Sequence, residues 1–102
     1  MKWYRHIYIG EQARKNRYRI IGKIRRNKLQ MDIYVITLAL NASDLLDIYP
    51  AYVLCQRHFQ KQEYLIVGIA KGYEEAINVV VKIVTEVYTK TGTFGIREYI
   101  GR

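Results

Sequence analysis

Apolar residues recur at two different periods along this chain, and the switches between them mark its elements. Residues 3–9 alternate loosely between apolar and polar, which predicts a short strand. Residues 10–16 are polar and read as loop or frayed helix. Residues 17–28 admit two patterns. On a helix, Ile20, Ile21 and Ile24 share one face, while Arg19, Lys23 and Arg26 stack at i, i+4 and i+7 on the opposite face. On a strand, Tyr18, Ile20, Gly22 and Ile24 would line one side, with Ile21 spoiling the other. A hairpin would need a turn near Asn27-Lys28, where no Asn-Gly or Asp-Gly stands, so helix is the reading adopted.

Residues 31–40 are rich in β-branched side chains and almost continuously apolar, the pattern of a strand buried on both faces. Residues 41–44 carry turn chemistry, and 45–49 predict a second strand ended by Pro50. Residues 51–60 either continue it or form a short helix, since Tyr52, Cys55 and Phe59 have helical spacing. After a polar connector, residues 64–70 predict another doubly buried strand. A helix follows, with Tyr73, Ile77, Val80, Val84 and Val87 as its inward face and Glu74, Glu75, Asn78, Lys82 and Glu86 opposite. Glu74 and Glu75 complement the helix dipole, Glu86 and Lys90 form an i, i+4 pair, and Gly92 suits the C′ position. Residues 94–100 read as an edge strand or a last helical turn. The sum is one domain over residues 1–102, α/β or α+β, with a mixed sheet of about four strands and two or three helices covering at least one face.

The chain has 102 residues and is half apolar, enough for one core and too apolar for a disordered chain. Its longest uncharged run, residues 33–43, falls short of the ~20 residues of a spanning helix, so no membrane partner is expected. No apolar segment backs the charged residues near Met1, and the single Cys55 allows no internal disulfide. Both fit a reducing cytoplasm, the expected location. Cys55 lies in an apolar run and reads as a small core residue.

Charge changes the picture more. Residues 1–28 hold ten basic side chains against Glu11 alone, whereas residues 29–102 hold seven basic and eight acidic ones, so nearly all of the net +8 sits in the first third. That excess is larger than solubility asks of a small domain. It predicts either a solvated basic face or a surface for nucleic acid or an acidic protein. The candidate contacts are Arg14, Lys15, Arg17, Arg19, Lys23, Arg25, Arg26 and Lys28, with Tyr18 placed to stack on a base. Tyrosine is the other excess, ten in all. By phase Tyr34, Tyr64, Tyr73 and Tyr88 belong to the core. Tyr4, Tyr8, Tyr49, Tyr52 and Tyr99 are hard to bury together, which predicts an aromatic surface and a homo-oligomer.

Chemical motifs are sparse. Gly68-Ile69-Ala70-Lys71-Gly72 joins a strand to a helix but matches neither the Walker nor the dinucleotide spacing, and Glu74 and Glu75 would repel an anion there. His58 and Cys55 stand at i, i+3 and His6 is remote, so a third metal ligand is lacking and no metal is expected. Ser43 sits in turn chemistry, as do Asp44 and Asp47. No catalytic constellation and no cofactor motif emerges, and an enzyme would need a pocket assembled from separate elements, near His58 and Cys55.

Residues Leu46-Asp47-Ile48-Tyr49, the stretch from Ile66 through Gly68, Lys71, Gly72, Tyr73, Glu74 and Glu75 to Ala76, and Thr91-Gly92 resemble a family of small bacterial proteins of unknown function from anaerobic Gram-positive bacteria. The resemblance implies a cytoplasmic bacterial protein and brings no catalytic residues. The functional expectation is a non-catalytic, self-associating interaction module. The alternative is a nucleic-acid- or polyanion-binding accessory protein using residues 14–28.

Overall fold

A computed structural model describes residues 2–39, 46–56 and 64–101. Its strands are β1 (Lys2–Ile9), β2 (Ile33–Ala39), β3 (Leu46–Pro50) and β4 (Tyr64–Lys71). Its helices are α1 (Glu11–Arg14), α2 (Arg17–Arg25), α3 (Tyr73–Thr91) and α4 (Ile96–Ile100), with a 3-10 turn at Ala51–Cys55. The sheet order is β1-β4-β2-β3. β2 and β3 run antiparallel, with Val35 opposite Tyr49. β4 is antiparallel to β2 and parallel to β1, so the sheet is mixed and the fold is of the α+β class.

The two central strands are almost continuously apolar, Thr37 and the terminal Lys71 apart, because helices cover both their faces. On one face Ile33, Val35, Ile66 and Ile69 meet Ala13 of α1, Ile20 and Ile24 of α2, and Ala51 and Leu54 of the 3-10 turn. On the other, Ile36, Leu38, Val67 and Ala70 meet Ala76, Val79, Ile83 and Val87 of α3, and Ile96 and Ile100 of α4. A bulge in β4 links the layers: Ile36 pairs with Gly68 but Thr37 pairs with Ile66, which leaves Val67 as the extra residue. Gly68 then lies under α3. A Cβ there would stand 3.1 Å from Val79 Cγ1, 3.2 Å from the Tyr8 carbonyl oxygen and 3.3 Å from Ile36 Cδ1.

Several expectations shift. The inward face of α3 is Ala76, Val79, Ile83 and Val87, a step round from the predicted one. Apolar residues cover more than half of this helix, so periodicity alone could not choose. The choice falls on the side whose small Ala76, with Val79 over Gly68, allows close approach to the sheet. Tyr73 and Tyr88, assigned to the core by phase, are instead 54% and 51% exposed. Residues 94–100 end in helix α4 and not in an edge strand. Glu86 and Lys90 form the expected ion pair at 3.4 Å. Gly92, in the left-handed region at φ 74°, closes α3 by donating its N–H to the Tyr88 carbonyl. The predicted turn at 41–44 and the side chains of His58, Phe59 and Tyr64 lie outside the described residues. Among the described residues no helix is long and apolar enough to cross a membrane.

Candidate functional site

The basic segment folds as helix because its isoleucines have somewhere to go. Ile20 and Ile24 are buried against the sheet and Ile21 packs beside them, which turns Arg19, Lys23 and Arg26 to the outer side of α2. The helix ends in a Schellman motif: the Lys28 N–H donates to the Lys23 carbonyl and the Asn27 N–H to the Ile24 carbonyl. Asn27 supplies the left-handed residue that this closure needs, at φ 55°. Lys23 and Arg25 sit in the last turn, where the dipole favours cations. The buried Gln30 anchors the returning chain by donating its Nε2–H to the Ile20 carbonyl at 3.2 Å.

The nine predicted contacts do not all converge. Arg19, Lys23 and Arg26 follow one ridge of α2, with Lys15 and Lys28 exposed before and after it. Arg17 lies over the ring of Tyr18, 4.8 Å from its centroid, and Tyr18 is 78% exposed. Arg25 turns toward β1, where its guanidinium stands 5.3 Å from the Trp3 ring. Arg14 faces a separate cleft beyond α1. None of Arg14, Lys15, Arg19, Lys23, Arg26 and Lys28 meets a carboxylate at ion-pair distance among the described residues.

Two clefts open beside this layer. The smaller, about 150 Å³, is lined by Arg19, Lys23 and Lys71, the amides of Gln12, Asn16 and Gln30, and an isoleucine floor. Lys71 is a contact that the sequence did not offer: it ends β4, and only the sheet brings it beside α2. The larger cleft, about 690 Å³, opens where β1 and β4 end side by side. From these adjacent parallel strands the chain departs to opposite faces, into α1 and into α3, the arrangement that leaves a crevice at strand carboxyl ends. Carboxylates enter it from Glu11, Asp32, Glu74 and Glu75, and cations from Arg14, Lys71 and Lys82. The Glu75 carboxylate accepts from the backbone N–H groups of Gln12 and Lys71, each at 2.6 Å. An acid from the first turn of α3 thus occupies a donor of the very turn where a phosphate loop would hold its ligand, and reaches across to a second donor in α1. It also serves α1, which has no side-chain cap of its own.

Titration is perturbed elsewhere, beneath the C-terminal half of α3. Tyr8 donates its hydroxyl proton to Glu86 Oε2. Burial, and then this bond, push the Tyr8 hydroxyl well above its ordinary range, while the bond from Tyr8 holds Glu86 below the usual carboxylate range. Tyr99 and Glu86 together raise Lys90, and Tyr4, raised by burial first, stacks on Tyr8 at 6.3 Å. This cluster faces neither cleft. No group of three His, Cys, Asp or Glu residues able to hold a metal is present among the described residues, where Cys55 is half-buried and His6 exposed. Ser43, Asp44 and His58 lie outside them.

The outer side of α3 carries an apolar stripe between polar residues. Tyr73, Ile77, Val81 and Tyr88 are exposed along one stripe, with Val84 half-buried between them. Phe94 extends it, stacking on Tyr88 at 4.8 Å, and Tyr34 meets Tyr73 edge-on at its start. Compared with protein-family models, curated proteins and solved structures, the chain matches none.

Proposed function

We propose that this protein is a non-catalytic binding module for phosphate-backbone polyanions, with nucleic acid as the ligand and the outer face of α1 and α2 as the contact surface. The observation that carries the reading is a ridge of cations on a helix docked to the sheet, with Arg19 and Arg26 exposed and Lys23 half-buried, unpaired with carboxylates among the described residues. Phosphate contact releases condensed counterions, and cations already unpaired break no ion pair when they turn to a phosphate. Tyr18, flat beneath Arg17 and exposed, adds a ring on which a base can stack.

The test is a salt titration of binding to duplex DNA. Changing Arg19, Lys23 and Arg26 together to Ala should flatten the slope of log K against log salt by about 0.9 for each phosphate that the variant no longer neutralises. No binding at low salt, or an unchanged slope in the triple variant, refutes the reading. Equal binding to poly-glutamate, indifferent to Tyr18→Ala, would assign the face to acidic proteins instead.

A second reading concerns self-association, and the exposed stripe on α3 supports it. The occupant it fits is a second copy of the same stripe, apolar side chain against apolar side chain.

A further inference from the structure

We infer that the small cleft between α2 and the end of β4 is a seat for a terminal phosphate, so that the protein binds nucleic acid by a phosphorylated strand end. The inference rests on the polyanion reading and names the part of the ligand that the cleft selects. Three cations line it, Arg19, Lys23 and Lys71, and the remaining polar lining is the amides of Gln12, Asn16 and Gln30. No carboxylate is among the lining residues, although four line the neighbouring cleft. The cleft, about 150 Å³, has room for a phosphate. A phosphomonoester carries about −1.5 to −2 at neutral pH and a backbone diester only −1, so a cleft lined by three cationic residues and no carboxylate favours the monoester.

Position selects an end as well. The seat lies on a boundary, with the cationic ridge of α2 on one side and the larger cleft, lined by Glu11, Asp32, Glu74 and Glu75, on the other. Gln12 and Lys71 line both clefts and form the divide. A strand leaving the seat over α2 meets cations alone, whereas one running on into the larger cleft meets four carboxylates against Arg14, Lys82 and the seat's own Lys71. The exit over α2 is the more favourable of the two, and that bias is the condition for binding a terminus.

The experiment compares a short single-stranded oligonucleotide bearing a 5′-phosphate, a 3′-phosphate or neither, at matched ionic strength. The protein should prefer one phosphorylated form by about tenfold, the worth of one good charge-assisted contact. Lys71→Ala should erase that preference and leave the unphosphorylated strand bound within about twofold, because the contacts along α2 remain. The variant keeps the backbone N–H that Glu75 holds, so the strand end stays in place, and Lys71→Arg should restore the preference. Arg26→Ala should weaken all three forms alike. Inorganic phosphate should remove the preference without displacing the unphosphorylated strand. Equal binding of all three forms, or a preference that survives Lys71→Ala, overturns the seat while the broader reading stands. Failure of every form to bind at low salt overturns the broader reading itself.

Discussion

Two residues show how little room this fold leaves for change. Gly68 sits in the β4 bulge beneath Val79, and each of its three nearest neighbours lies within 3.3 Å of where a Cβ would be. One of these is the Tyr8 carbonyl, which cannot rotate away as a side chain can. Gly68→Ala should cost about 1–3 kcal/mol, a fall in melting temperature of roughly 4–8 °C for each kcal/mol, readable by thermal denaturation. Val79→Ala in the same chain should recover only part, because the carbonyl stays. Tyr8 poses a titration problem. Its bond to Glu86 depresses the folded-state pKa of that carboxyl, so the unfolded chain takes up the proton first. The stability contributed is present above the ordinary carboxylate pKa of 4.5 and is lost as pH falls through the lower folded value. Tyr8 has the opposite sign: its folded pKa is raised, so its contribution is present below pH 10.0 and declines as pH climbs beyond it. Tyr8→Phe should cost about 1 kcal/mol at neutral pH, and the difference from the parent should shrink in acid melts. A difference that persists at low pH would place the effect in packing and not in the bond.

At the scale of elements, much of the architecture was legible. The β-branched runs specified β2 and β4, and the isoleucine spacing of α2 chose helix because a docked helix buries Ile20 and Ile24 and packs Ile21 beside them, whereas an extended chain would leave Ile21 on the wrong side. What escaped was whatever depends on partners distant in sequence. The phase of α3 is set by Gly68 across the layer, and apolar residues on its outer side hid that preference. Lys71 joins Arg19 and Lys23 only through the order β1-β4-β2-β3, which no local pattern encodes. Arg14 and Arg25 fall away from the ridge for a local reason, since α1 breaks before α2 and Arg25 points along the flank of its helix toward Trp3. The Glu75 latch belongs at this scale too, because one carboxylate ties the start of α1 to the end of β4. Glu75→Ala should speed amide exchange at Gln12 and Lys71 and cost about 1 kcal/mol, charge-assisted bonds being discounted here for solvent screening. Exchange unchanged at both amides would show that α1 holds its place without the latch.

For the whole molecule, the sheet separates two surfaces of different character. The cationic ridge belongs to the layer on one face, the apolar stripe of α3 to the layer on the other. Pairing two copies through α3 would therefore leave both basic faces outward, and a long strand could engage them together. Sedimentation should find association that Val81→Asp abolishes with little change in melting temperature, since Val81 is 56% exposed. The same change should weaken binding to long strands far more than to short ones, because unlinked sites no longer raise each other's effective concentration. A parent chain that stays monomeric at every concentration would refute the pairing. The parallel alliance of β1 with β4 also has a bearing on biosynthesis. β1 is synthesised before its sheet neighbour β4, which is made some sixty residues later, a delay of roughly 3–12 s at ordinary translation rates. Ile66 and Ile69, on which α2 rests, arrive equally late. Until then the most cationic stretch of the nascent polypeptide lacks the sheet surface that α2 packs on, and its entry into the finished fold waits on the translation of β4.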